Sequence, residues 1–208
     1  KHEDLIKFSN AEFYKNLMIP VTANFEDKEK GIKYIYLKDG LYHVSTEGRS
    51  GGFNIVEAEK AVSEAIKIML NRPNESIGIA TMNIKQRDYI EKHFELEAAK
   101  NTAVQEYLSY WKEQDDGLNE FFVKNLENVQ GDERDVIIIS TLFGPINKDA
   151  DPPQRFGGLN TKNGWRRLNV LFTRAKNQMI VISSIKSVQV KVSDKSSRGV
   201  EVFKKFLL

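Results

Sequence analysis

The sequence predicts an α/β domain built on a mostly parallel sheet with helices on both faces, and three observations carry that expectation. Short Val/Ile-rich segments, SIGIAT, DVIIIST and QMIVISS, alternate with longer stretches whose apolar residues recur at helical period. Those short segments are continuous apolar runs rather than alternating ones, as strands covered on both faces require. With 208 residues, 40% of them apolar, the chain is long enough to bury one sizeable core, so a single domain over residues 1–208 is expected.

Taken in order, the opening KHEDLIKFSNAEFYKNL places Leu5, Phe8, Phe13 and Leu17 at helical spacing, and its start at Lys1, without Met, leader or cap, reads as a piece cut from a longer protein. Beyond Pro20, alternation through GIKYIYLKDGLYHVS predicts two short strands with a turn at Asp39-Gly40 between them, followed by a glycine-rich break from Gly48 to Gly52. Asn54 caps a helix whose Val56, Ala61, Val62, Ala65, Ile66 and Met69 share one face and which ends near Asn71-Arg72-Pro73. SIGIAT is a buried strand and KQRDYIEKHFELE the helix after it, with Met82 and Asn83 at a junction of the kind that faces ligands in open α/β sheets. The acidic stretch 97–120 contains a helix with Val104, Tyr107, Leu108 and Trp111 on one stripe, which core packing explains without a gating role. FFVKNL and DVIIIST are strands, Asn147 to Gly164 is a long Gly/Pro/Asn/Asp-rich loop, and WRRLNVLFTRAK is a helix. QMIVISS is the last strand, and SSRGVEVFKKFLL is a closing helix begun by Ser197.

Composition excludes several functions. Charged residues make up 29%, no apolar run exceeds four residues and no basic-then-apolar leader opens the chain, so neither membrane span nor signal peptide is expected and the location expected is cytoplasmic. Zero cysteines remove thiol catalysis and Cys-based zinc, and three scattered histidines, His2, His43 and His93, give little basis for a metal site. No G-x-x-x-x-G-K-[ST] loop appears, so the chain cannot cradle a triphosphate alone. The charge is asymmetric: residues 160–208 carry eleven Lys/Arg and two acids, a net +9, whereas residues 1–159 carry twenty and twenty-seven, a net −7. The basic quarter is the anion-seeking part, or a solvated surface.

Three segments concentrate polar residues beside buried elements. In VKNLENVQGDERDVIIIST, Gln130, Gly131, Asp132, Glu133 and Arg134 lead into a strand, and taken alone they are a polar turn in which Gly131 supplies an unusual backbone angle. In GWRRLNVLFTRAKN, Arg167, Arg174 and Asn177 recur near helical spacing beside Leu168, Leu171 and Phe172. That is either a basic outer face or a source of an arginine that forks onto phosphate oxygens. SIGIATMNIKQRDYIE alone is an ordinary βα unit.

Together and in this order, the three segments resemble the second RecA-like domain of superfamily 1 helicases, in the 5′-to-3′ branch that includes nonsense-decay and bacterial helicase-nuclease proteins. IGIATMNIKQRDYI is similar to motif IV, VQGDERDVIIIS to motif V and RRLNVLFTRAK to motif VI, and HEDLIKFSNAEFY resembles the segment after the family's Tyr-Arg motif, which would precede Lys1. The resemblance implies a RecA-like fold lacking the phosphate loop. ATP and Mg²⁺ would be held mainly by a first RecA-like domain, and closure would step a single strand by one nucleotide. It implies Arg174 as the arginine finger, Glu133 as the acid near the nucleotide ribose, Gly131 as close backbone to the γ-phosphate, and Gln130 and Arg167 as further nucleotide-binding positions. Thr81, Asn83, Asn125 and Asn128 would be uncharged donors to the nucleic-acid backbone, with DNA favoured over RNA. Asp132 departs from the Arg many relatives place there, which leaves one phosphate contact open, and a nuclease domain beyond the RGVEVFKKFL-like end is an open question. Two other readings stand beside this one. In a non-catalytic single-strand-binding module, Arg174 would touch a strand phosphate; a small-molecule α/β enzyme has no visible machinery here.

Overall fold

The structure is a computed structural model that describes residues 3–17, 30–44 and 51–208. The glycine-rich break at residues 48–50 and the start of the alternating segment at Pro20 lie outside the described residues. The elements run α1 (Glu3–Phe13), β1 (Gly31–Tyr36), β2 (His43–Val44), β3 (Gly52–Phe53), α2 (Ile55–Asn71), β4 (Ile77–Thr81) and α3 (Ile84–Ala98). They continue as α4 (Thr102–Glu113), β5 (Phe122–Asn125), β6 (Arg134–Ser140), α5 (Gly164–Phe172), β7 (Ala175–Ser183) and α6 (Arg198–Phe206). Five strands form one sheet in the order β1-β7-β6-β4-β5, every neighbouring pair parallel, and β2 and β3 form a separate antiparallel pair.

The continuous apolar strands have the burial their composition requires. Successive residues of β6 point to opposite faces, so Ile137 and Ile139 join Leu5, Leu168, Phe172 and Phe203 beneath α1, α5 and α6, whereas Val136 and Ile138 join Ala61, Ala65, Ile90 and Val104 beneath α2, α3 and α4. Each such Ile or Val is withdrawn from water at a gain of about 1.5–3 kcal/mol. The acidic stretch docks as its stripe predicts: Val104 and Tyr107 are buried, the Tyr107 hydroxyl donates to the Glu75 carbonyl at 2.7 Å, and the Trp111 indole N–H donates to the Pro73 carbonyl at 3.1 Å. Caps fix the helix starts, with Asn54 Oδ1 accepting from Glu57 N, Asn83 Oδ1 from Gln86 N and Ser197 Oγ from Val200 N. No helix among the described residues is long and apolar enough to cross a membrane.

Three expectations are corrected. Leu17 is not on the first helix: Lys15 and Asn16 adopt positive φ (51° and 58°), which ends the helical path, and Leu17 is 79% exposed. The turn at Asp39-Gly40 does not close a hairpin, because β1 is taken up by β7 along its length, from Gly31 opposite Gln178 to Tyr36 opposite Ser183. Gly40 instead lets the chain pass against β7, where an added Cβ would stand 1.9 Å from Ser184 Oγ. The helix read through WRRLNVLFTRAK stops at Phe172, since from Ala175 onward the chain pairs with β6.

Candidate functional site

Parallel strands deliver their C-terminal ends to one side of the sheet, where loops and helix N-termini converge. A groove of about 1240 Å³ lies there, between the β4–α3 junction, the segment after β5 and the loop after β6. Asn83, Asn125 and Asn128 line it, and Thr81 is buried beneath, its Oγ1 donating to the Asn83 carbonyl at 2.7 Å. The fold already uses most of their hydrogen-bonding capacity. Asn83 caps α3 and donates through Nδ2 to the Gly52 carbonyl at 2.9 Å. Asn125 Nδ2 donates to Glu127 Oε2 at 2.7 Å, and its Oδ1 is buried without a partner among the described residues. Asn128 alone of the four is exposed. Met82, expected with Asn83 at the ligand-facing junction, lines it too, and the sequence reading missed the rest: Lys85 and Arg155 bring positive charge, and Ile84, Leu142 and Phe143 join Met82 in an apolar floor and wall. Lys85 stands inside the motif IV-like segment, two residues after Asn83, and that was its available signal; for Arg155 the signal was the length of the loop from Asn147 to Gly164.

The motif V and VI residues meet at the opposite edge of the sheet, where β6 and β7 begin. Arg134 is opposite Ala175 in the ladder, and the Arg134 N–H donates to the Arg174 carbonyl at 3.1 Å. The preceding residues, Glu133 and Arg174, are therefore neighbours, both partly exposed. Arg174 is not on a helix face as its spacing suggested. It follows the end of α5, with Nε donating to the Val170 carbonyl at 2.8 Å and Nη2 to Thr173 Oγ1 at 3.0 Å, and Asn177 lies within β7. Gln130 and Gly131 are exposed in the turn before β6, and Gly131 has φ 93°, a conformation that suits glycine. Arg134, left without a role in the motif reading, clamps this turn. Its buried guanidinium donates twice to the Glu120 carbonyl and once to that of Glu133, it lies over the Phe122 ring, and burial lowers its pKa from the usual arginine value. Asp132 pairs with Lys124 at 2.8 Å.

Residues 1–186 match the family described as AAA domain. The chain belongs to that family. It is also similar to an uncharacterized ATP-dependent helicase of Mycoplasma genitalium, 30% identical over 209 residues, and to its homologue in Mycoplasma pneumoniae, 28% identical over 209 residues. Each alignment covers 99% of this chain and 17% of the relative, so the chain spans about a sixth of the length of those helicases. The C-terminal domain of a possible DNA helicase from Lactobacillus plantarum WCFS1 aligns over 92% of both chains at 9% identity and a TM-score of 0.44, a likeness too low to bear on the fold. The family match and the helicase relatives bear out the sequence reading of a second RecA-like helicase domain, and the five-stranded parallel sheet flanked by helices bears out its fold class.

Within this AAA-domain chain, Arg167 is held toward the groove rather than beside Arg174. Its Nη1 pairs with Glu127 Oε1 at 3.0 Å, and the other oxygen of Glu127 receives the Asn125 amide. Gly158 makes room for it, since a Cβ there would stand 2.9 Å from Nη1. Much of the basic C-terminal quarter is engaged internally. Lys205 pairs with Glu12, Lys191 with Asp151, Arg198 lies over Trp165, Lys186 over Tyr36, and Lys204 donates to the Val190 carbonyl. Among the described residues no group of three or more His, Asp or Glu is placed to hold a metal ion.

Proposed function

We propose that this chain is the C-terminal motor domain of an ATP-dependent superfamily 1 helicase of the 5′-to-3′ branch. It would supply an arginine finger to ATP held by a first RecA-like domain, and part of the track for single-stranded nucleic acid, DNA in preference to RNA. The observation that carries this reading is the pairing of β6 with β7 that makes Glu133 and Arg174 neighbours on a partly exposed edge. An acid there suits a ribose hydroxyl. Arg174 has Nη1 left for a phosphate oxygen once Nε and Nη2 are satisfied at home, and its guanidinium stays protonated as charge grows on the transferring phosphoryl group. Gln130 and Gly131 lie in the same turn, Gly131 offering backbone without a side chain in the way. Arg167 supports the groove through Glu127. In this reading Mg²⁺ would be held with the nucleotide phosphates by acids of the first domain.

The groove at the other end of the sheet fits a strand without sequence preference. Its apolar floor accepts bases of any kind, and Lys85, Arg155 and the exposed Asn128 stand where phosphates would pass. The test is Arg174→Ala in a protein that joins this chain to its first RecA-like domain. ATP turnover at saturating strand should fall by about 10³ or more, the scale of an arginine finger, with strand affinity little changed. If strand affinity collapses instead and turnover stays near that of the parent, Arg174 touches the strand, and the single-strand-binding module is the better reading.

A further inference from the structure

Glu57 has no place in the motor reading, yet it is wholly buried. It stands three residues after the cap Asn54, the spacing at which a Glu turns back to close a capping box. It does not turn back, because Gln86 Oε1 already accepts from the Asn54 N–H at 2.7 Å. The carboxylate crosses instead to the ends of β6 and β7. Oε2 accepts from the Leu142 N–H at 2.7 Å and from Ser140 Oγ at 2.8 Å; Oε1 accepts from the Ser184 N–H at 2.7 Å, from Ser184 Oγ at 2.8 Å and from Thr141 Oγ1 at 3.4 Å. The hydroxyls are oriented from behind, Ser140 Oγ by the Gln86 amide and Ser184 Oγ by that of Asn54, both at 3.0 Å. Two backbone N–H groups and the Ser140 and Ser184 hydroxyls donate, so the cage fits an acceptor with two oxygens, while the Thr141 hydroxyl also lies 3.0 Å from Ser183 Oγ. Leu142, held by one of those oxygens, has φ 61°, a left-handed conformation that non-glycine residues rarely adopt without an external hold, and with Phe143 it lines the groove.

We propose that Glu57 is the positioning residue of this groove: its carboxylate holds the Leu142 backbone in the left-handed turn that sets Leu142 and Phe143 as the floor on which the bases of a single strand rest. The inference rests on the strand reading above for its purpose and on the geometry alone for the hold. Protonation weakens the hold on the two backbone N–H groups, because a neutral carboxyl is a poorer acceptor than a carboxylate and its proton must be taken by one of the cage hydroxyls. Burial pushes the carboxyl up to about 7 against the pull of its hydrogen bonds. The side chains facing it from α2, α3, β6 and β7 are the uncharged Asn54, Gln86, Ser140, Thr141 and Ser184, and Tyr34 of β1 is the titratable group that senses its charge.

The experiment uses this chain and a labelled single-stranded oligonucleotide, with affinity read by fluorescence anisotropy between pH 6 and pH 8 and amide exchange followed at Leu142. Glu57→Gln keeps the shape but sets an amide N–H against one of two backbone N–H groups that cannot turn away. Affinity should fall about tenfold, the scale of one buried donor left unpaired, and Leu142 exchange should accelerate. Wild-type affinity should decline as pH drops through 7, and the Glu57→Gln profile should lack that decline. Ser184→Ala serves as the control, since it removes a hydroxyl of the same cage without touching the Leu142 bond; it should lower the melting temperature, leave affinity at pH 8 in place and move the decline in affinity to higher pH, because a bond that lowers the Glu57 pKa is lost. Equal affinity for Glu57→Gln and wild type, or losses that follow melting temperature alike in both variants, would overturn the proposal. If the wild-type chain binds no strand at all, the strand reading falls, and exchange at Leu142 decides by itself whether Glu57 holds that turn.

Discussion

The two ends of the sheet are held together by different physics. At the C-terminal end, a buried carboxylate, two amides and a set of hydroxyls fix the loops around a groove whose floor is apolar. At the N-terminal edge the fixing is done by backbone pairing of β6 with β7 and by one buried guanidinium clamped on carbonyls, and the candidate residues Glu133 and Arg174 project from it. The groove end therefore depends on ionisation and on side-chain packing, whereas the other edge depends on main-chain geometry that tolerates changes of pH. Under the motor reading proposed above, that division would let the arginine keep its aim while the strand-facing surface yields and re-forms.

Three measurements sharpen the contrast. The largest effect is expected from Phe203→Ala, because Phe203 is fully buried and packs with Phe143 and Phe156 directly under the groove. Denaturant unfolding should show a loss of about 3–5 kcal/mol, and strand affinity should weaken even where the chain is fully folded. Unchanged affinity under those conditions would move the strand to the other edge. Next in size is the pH dependence of stability. The folded-state pKa of Glu57 lies above its ordinary value of 4.5, at about 7, so the folded chain retains that proton where the unfolded chain has lost it. Stability is then fully present below pH about 4.5 and declines as pH rises through 7, by about 3 kcal/mol from this group. Urea unfolding at pH 5 and pH 8 should show the decline in wild type and lose that component in Glu57→Gln; equal declines in both would assign it elsewhere. The smallest effect concerns salt. Removing Lys85 and Arg155 together should reduce the slope of log affinity against log salt by about 1.4, near 0.7 for each phosphate contact on a single strand, while Arg174→Ala should leave the slope as it was.

Much of the fold was legible because burial on both faces leaves a distinctive mark: VIII in β6 and MIVIS in β7 admit little besides a parallel interior strand. Caps were legible for the same local reason, as Asn54 and Ser197 satisfy helix N–H groups wherever the chain goes next. What escaped was decided by partners distant in sequence. The Asp39-Gly40 turn has hairpin chemistry, but β1 finds β7 some 150 residues away, and that longer ladder wins. Arg174 has helical spacing, but pairing of the next residue with Arg134 ends the helix first. The named site residues were found as two sets without their separation across the sheet, and Glu57 was passed over because a glutamate early in a helix looks like a solvated or capping residue until the donors around it are known.

The segment between β5 and β6 connects these two ends. Residues 126–133 leave Asn125 beside the groove and return to Arg134 at the other edge, bypassing β4, which lies between the two strands. Fully stretched, nine links reach about 30 Å at 3.3 Å each. The path needs roughly 20 Å along the strands and about 10 Å across two strand spacings, a diagonal of about 22 Å, and turns at Asn128 and Asp132 shorten the reach further. Little slack remains. A strap this tight has few alternative shapes, so a shift at one anchor is passed to the other mainly as displacement rather than absorbed as loop motion, and two glycines inserted after Asn128 would supply the slack that uncouples them.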